Sequence, residues 1–280
     1  VLCLAGAVFS DFFSMLPKEH AAWLNRPDIN LFGILLFFIF LSLIGLPKLI
    51  IWWWQCRPLP DDDFKNRLLV LMKKSGVKAR GILVWGPRES GLLNACVLGP
   101  WASYRYVLIS PQLLDELGQE ETEAVLAHEL GHARYGHLTL LLIMLLLMSV
   151  AFELLLRAFP IASPLTQTGM SVCFIILYVW GFFGSVLRQC EREADLASAE
   201  MMGSPRPLIA ALEKLALING NTRKIYSWHH GSIAQRVASV EQLNADPVAS
   251  RSFHAKLRWM RIFFITLTGV AIGVQVFLHY

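Results

Sequence analysis

Four stretches of this chain, 31–54, 138–159, 168–187 and 262–279, are apolar enough to cross a lipid bilayer, and the rest must fold around them. A spanning helix needs about 20 such residues. The first stretch ends in Trp52, Trp53 and Trp54, which read as an interfacial belt, with Lys48 snorkelling beside Pro47. Residues 1–16 read as part of a further span, interrupted by Asp11. A cleaved signal peptide is the competing reading there, but no basic leader or small-residue cleavage site is visible. Because the chain opens at Val1 inside an apolar run, it is expected to be a piece of a longer one.

Composition removes the soluble alternatives. Charged residues make up 16% and hydrophobic residues 55%, where soluble domains carry roughly 25% charged residues. The same figures exclude disordered and collagen-like chains. The cysteines Cys3, Cys56, Cys96, Cys173 and Cys190 are scattered, forming neither a disulfide framework nor a C-x-x-C metal site. A net charge of +4 is too mild for a nucleic-acid partner, so none is expected. Its placement gives orientation instead. Arg57, Lys65, Arg67, Lys73, Lys74, Lys78 and Arg80 follow the first full span, and Arg251, Lys256, Arg258 and Arg261 precede the last. Loops 17–30 and 160–167 carry no net charge, so the positive-inside rule makes both long polar segments cytoplasmic.

Between the spans lies His128-Glu129-Leu130-Gly131-His132. Residues four apart on a helix share one face, about 40° apart around the axis. Two imidazoles so placed can grip one zinc ion, with the intervening glutamate reaching its water. Gln119, Glu120 and Glu121 place acids where a helix dipole favours them, so the helix is expected to begin about ten residues before His128. His137 suggests a third histidine ligand, but on a continuous helix it lies about 140° from His132, and Gly136 comes one place too late for that motif. A structural or interfacial role is expected for it.

Residues 138–187 are expected to form an antiparallel hairpin. From Ser163, His132 lies 31 residues back and Glu191 lies 28 forward. At about 1.5 Å per residue the two arrive at nearly the same height. Arg188, Glu191 and Asp195 share one helix face, while Glu193 points the other way. A salt-bridged surface helix would show the same spacing; beside the zinc motif, Glu191 is read as the third ligand. Residues 80–110 alternate β-rich runs with glycine turns and predict a small sheet.

Several patterns now stand in order. They are Asn94-Ala95, A-V-L-A-H-E-L-G-H ending at His132, R-x-x-E-x-x-A-D from Arg188 to Asp195, the run from Ala197 to Ala216, and H-x-x-x-x-x-R from His230 to Arg236. On these the chain resembles the HtpX/CAAX-prenyl-endopeptidase family of membrane zinc metalloproteases, over residues 94–243. It departs from that family at Gly231, where a proline is usual, and in the span 262–279. The penicillin-sensor family of membrane gluzincins fits less well, having a cysteine where this chain has Ala194.

The expected fold class is mainly α: a polytopic helical membrane protein with a cytosolic zincin-like α+β metalloprotease domain carrying a small sheet. That domain is divided between residues 57–137 and 188–258. The reading implies one catalytic Zn²⁺ on His128, His132 and Glu191, and Glu129 as general base. Asp195 and Arg188 are expected to support the ligands, and His230 and Arg236 to polarise the scissile carbonyl. The resemblance places a substrate-pairing strand at Asn94, Ala95 and Cys96. Leu138 lies six residues after His132, about 9 Å of helix, which puts the metal at the membrane surface. The implied function is a zinc endopeptidase acting on membrane or unfolded proteins, facing the cytoplasm from a bacterial inner membrane. A dedicated processing protease for a lipidated or single substrate, and a protease-based signalling transducer, are the alternatives.

Overall fold

The computed structural model describes residue 45 and residues 47–86, 93–99, 101–158 and 163–279. The expected span 1–16, most of 31–54, and the loop 17–30 lie outside the described residues. The chain divides into a unit Val1–Trp53 and a unit Trp54–Tyr280. In the first, residues 47–53 are helical, and Trp52 and Trp53 are exposed.

The second unit begins with β1 (Arg57–Pro58) and α1 (Asp63–Ser75). Asp62 caps α1 by accepting from the Lys65 amide at 2.8 Å, and Gly76 closes it with φ 73°. β2 (Gly81–Val84), β3 (Ala95–Leu98) and β4 (Tyr106–Ile109) complete a mixed sheet of order β1-β2-β4-β3. β2 and β4 run parallel, while β1 and β3 pair antiparallel to their neighbours. β3 is thus an edge strand. Ser110 fixes its entry: the Ser110 hydroxyl accepts from the Asn94 amide at 3.1 Å, and the Ser110 amide donates to the Asn94 carbonyl at 3.0 Å.

After α2 (Pro111–Glu116) comes α3 (Gln119–Arg134), whose first-turn Glu121 accepts from the Gly118 amide at 2.7 Å. Leu68, Val107, Ile109, Leu126 and Leu130 pack the sheet against α1 and α3 in one core. Truncating such a leucine to alanine costs about 2–5 kcal/mol. α3 ends where Gly136 takes φ 65°, and α4 (His137–Ala158) starts at once.

α4 faces α5 (Pro164–Ile176), which runs through a π-helical segment (Leu177–Phe183) into α6 (Gly184–Met202). A uniform α-helix is expected over 168–187; the structure widens its second half into π turns instead. There Tyr178 Oη donates to the Met144 carbonyl of α4 at 2.7 Å, and Gly184 lets the Trp228 carbonyl approach its backbone. The remaining helices are α7 (Arg206–Ile218), α8 (Ile233–Ala245) and α9 (Pro247–His279). The helical stretches 137–156, 165–202 and 247–274 are long and apolar enough to cross a membrane. Leu165 is 83% exposed, Leu177 and Trp180 each 66%, a surface suited to lipid rather than water. Leu140, Met144, Val186, Cys190 and Phe264 join α4, α6 and α9 in a second core, which gives Cys190 a packing role.

α3 and α6 meet most closely. A Cβ on Gly131 would fall 3.0 Å from Ala197 Cβ and 3.1 Å from Ala194 Cα. Ala124 and Ala127 are fully buried, and Ser198 Oγ donates to the Ala124 carbonyl at 2.7 Å. Small residues on both helices let the backbones touch, and that contact carries Glu191 beside the histidines of α3.

Candidate metal centre

α3 presents His128, Glu129 and His132, and α6 presents Glu191. His128 Nε2 and His132 Nε2 are 3.1 Å apart; Glu191 Oε2 lies 3.7 Å from the first and Glu191 Oε1 lies 3.5 Å from the second. Bonds of about 2.0–2.1 Å in a tetrahedral zinc site hold their donors roughly 3.3–3.4 Å apart. Among the described residues, His128, His132 and Glu191 form the group of donors able to hold a metal ion, all within 4.8 Å of one another. The donor set, two imidazoles and one carboxylate, suits a zinc ion with an open fourth position.

The outer nitrogens of both rings are occupied. His128 Nδ1 lies 2.9 Å from Asp195 Oδ1, one helical turn beyond Glu191. Arg236 of α8 grips Asp195 with both arms, Nη2 to Oδ1 at 2.6 Å and Nε to Oδ2 at 2.9 Å. Arg236 Nη1 also stands 3.5 Å from Glu191 Oε2, and His230 Nδ1 is 2.9 Å from that oxygen. Arg188 is directed elsewhere. Its Nη1 donates to the Trp228 carbonyl at 2.7 Å and its guanidinium lies over the Tyr226 ring, so it braces the loop carrying His230 rather than a ligand. That loop is closed by reciprocal bonds: Ser227 N–H to the Gly231 carbonyl at 3.1 Å, and Gly231 N–H to the Ser227 carbonyl at 2.8 Å. Gly231 has φ 75° and donates its N–H; a proline there could do neither.

Electrostatics sort the groups by task. Burial draws the His132 imidazole well below its usual value, and the charges of His128, His137 and Arg236 add to this, the direction that favours metal binding by an imidazole. Burial also works to lower His128, but the hydrogen bond and charge of Asp195 outweigh it and raise that imidazole. Burial pushes Glu129 up to about 7, with Glu191 adding to the rise, near the range useful to a general base. A cavity of about 420 Å³ opens onto these groups. Asn94 and Ala95 line it opposite Leu208, Leu212 and Leu215 of α7, and His230, Arg236 and Glu129 line it too. Cys96, the next residue along β3, is not among the lining residues. Burial pushes its thiol up to about 12.

The structure also joins residues that spacing left apart. The turn at Gly136 breaks the helix between His132 and His137, so the angle expected on a continuous helix does not apply. His137 Nδ1 comes within 2.8 Å of His132 Nδ1, and His137 Nε2 within 2.9 Å of Glu193 Oε2. Glu193, on the far side of α6 from Glu191, receives Arg261 and His254 from α9. The signal that could have shown this is Gly136 read as a break, with an arginine directly before the last apolar run.

Residues 58–244 match Peptidase family M48. A Protease HtpX homolog of Herminiimonas arsenicoxydans is 25% identical over 245 residues, covering 77% of this chain and 82% of its own. One from Acidovorax ebreus (strain TPSY) is 26% identical over 200 residues, covering 60% of this chain and 67% of its own. Among solved structures, the crystal structure of S. mikatae Ste24p matches with a TM-score of 0.63 at 20% identity, over 85% of this chain and 64% of that one. The present chain therefore spans just under two thirds of that structure, and the likeness is one of fold.

Proposed function

Because this chain belongs to Peptidase family M48, and is thus a membrane metalloprotease, we propose that it is a zinc endopeptidase cleaving membrane or unfolded proteins at the cytoplasmic face of a bacterial inner membrane. The observation that carries the reading is the donor spacing of His128, His132 and Glu191 with Glu129 on the same cavity wall. His128, His132 and Glu191 would hold the ion, which would supply a Lewis acid for the scissile carbonyl and for the attacking water. Glu129 takes the proton of that water and passes it to the leaving amine. Arg236 and His230, beside Glu191, stabilise the oxygen on which negative charge develops.

Extended substrate pairs with the edge strand β3, its main chain aligned by Asn94 and Ala95, and the pairing is tolerant of sequence. The leucine wall of α7 accepts an apolar side chain next to the scissile bond. Such features suit unfolded or misassembled proteins, whose apolar side chains are exposed. The basic residues after Trp54 and before Ile262 support the cytoplasmic orientation.

The test is the full chain purified in detergent, with metal content and casein cleavage measured before and after stripping by a chelator. About one zinc per chain is expected, with cleavage lost on stripping and restored by zinc. A protein holding no zinc, or cleaving equally well when stripped, would sink the reading. Activity on one peptide from a broad panel, and on no unfolded protein, would favour dedicated processing over quality control.

A further inference from the structure

Behind the metal centre a chain of polar groups runs away from the cavity. His132 Nδ1 is 2.8 Å from His137 Nδ1, and His137 Nε2 is 2.9 Å from Glu193 Oε2. His137 is 2% exposed and Glu193 0%, so neither has water to satisfy it. A carboxylate this deep needs partners. Besides His137, Glu193 has Arg261 Nη2, and His254 Nδ1 at 3.3 Å. His254 Nε2 reaches on to Glu200 Oε1, also at 3.3 Å. The Tyr135 ring fills the remaining space, stacked on His137 at 6.1 Å with Arg261 over its face at 5.4 Å. Arg261 and His254 both belong to α9, which begins at Pro247, beyond the residues 58–244 that match the family.

The partners settle the hydrogens. A carboxylate only accepts, so a neutral imidazole at His137 donates from Nε2, the nitrogen at 2.9 Å from Glu193 Oε2, and accepts at Nδ1. His132 Nδ1 must then be the donor between the two rings. Its Nε2 is left with a lone pair, on the side where His128 Nε2 and Glu191 Oε1 stand at 3.1 and 3.5 Å. Each link therefore fixes the tautomer and tilt of the next, and the last link is anchored on α9.

We propose that His137 is a positioning residue for the metal ligand His132, and that α9 completes this support by holding Glu193 with Arg261 and His254. Arg261 comes directly before the apolar run of α9, so this membrane-entering helix is part of the apparatus that orients the site. The inference rests on the reading of His128, His132 and Glu191 as a zinc site.

The experiment uses the full chain in detergent, as wild type and as His137→Phe, His137→Asn, Glu193→Gln and Arg261→Met. Zinc affinity is measured by competition with a chromophoric chelator, alongside kcat and KM and the visible bands of the cobalt-substituted protein. Asparagine can place Oδ1 where His137 Nδ1 sits, and phenylalanine cannot accept at all. His137→Phe is expected to weaken zinc binding roughly 10–100-fold, to lower kcat more than KM, and to shift the cobalt bands. His137→Asn should recover most of each loss, a rescue that a packing role alone would not give. Glu193→Gln and Arg261→Met are expected to weaken zinc binding by smaller factors.

Wild-type zinc affinity in His137→Phe would overturn the positioning role, and wild-type affinity in Arg261→Met would overturn the part assigned to α9. If His137→Phe does not fold, Glu193→Gln decides the matter, and an unchanged zinc affinity there overturns the proposal. A wild type that binds zinc beside indifferent variants defeats this inference alone. A wild type that binds none defeats the metal centre and this inference with it.

Discussion

The two histidines of the candidate metal centre stand one turn apart on α3, yet they are held by different kinds of neighbour. His128 leans directly on a carboxylate, Asp195, which Arg236 fixes through paired bonds of 2.6 and 2.9 Å. His132 leans on another imidazole, His137, and reaches its carboxylate, Glu193, only through that ring. The first support is drawn from α6 and α8; the second is gathered from the start of α4, the far face of α6, and α9. A ligand needs its outer nitrogen committed to a partner, but the partner's charge is a separate choice. An adjacent carboxylate makes His128 the more basic ring, while burial keeps His132 neutral.

The change with the largest expected effect leaves both supports in place. Glu129→Gln removes the proton acceptor and no ligand, so kcat should fall by about 10²–10⁴-fold. Zinc affinity, measured by chelator competition, should stay within about twofold of wild type, since every group in the supporting contacts is retained. A parallel loss of zinc would mean that Glu129 helps to hold the ion, and the separation between base and supports would break down.

Asp195→Asn attacks one side only. The asparagine still accepts from His128 but loses the charge that answers Arg236, so zinc affinity should fall by roughly 10–100-fold. In the cobalt-substituted protein one ligand environment should change while that of His132 persists. An unchanged affinity would show that His128 needs no carboxylate, and the contrast between the two rings would vanish.

The two supports also differ in how far the amino-acid sequence discloses them. Asp195 follows Glu191 by four residues on one helix face, so any reading that finds the ligand finds its neighbour too. Arg236 emerged from a resemblance, because nothing local ties a residue of α8 to α6. Glu193 was legible only as a side chain pointing away from Glu191; what it points toward depends on where α9 passes, a tertiary fact with no periodic trace. The angle expected between His132 and His137 holds only on a continuous helix, and one glycine, Gly136 with φ 65°, breaks it. The spans 138–159 and 168–187 showed plainly as apolar runs, but the π turns over Leu177–Phe183 did not. That segment makes tertiary contacts such as Tyr178 with Met144, between residues 34 apart in the chain, which leave no local pattern.

Arg236→Lys is a milder break on the His128 side. A lysine keeps the charge beside Asp195 but cannot make the paired contact, so one hydrogen bond is lost. Because that bond acts on the metal site only through Asp195 and His128, zinc affinity should fall by less than in Asp195→Asn. An effect as large as that of Asp195→Asn would indicate that orientation of the carboxylate, rather than its charge, serves His128.

The smallest expected quantity is the sharpest test of whether the supports are separate. Combining Asp195→Asn with His137→Phe gives a double-mutant cycle on zinc affinity. Asp195 and Arg236 contact His128, whereas His132 is contacted by His137, which Glu193 holds in turn, and the paths meet only at the metal site. The free-energy costs should then add to within about 0.5 kcal/mol. A coupling above about 1 kcal/mol would mean that tilting one ring already releases the other. The two histidines would then be one rigid unit set by the close contact of Gly131 with Ala194 and Ala197, and their different neighbours would be alternative routes to the same geometry.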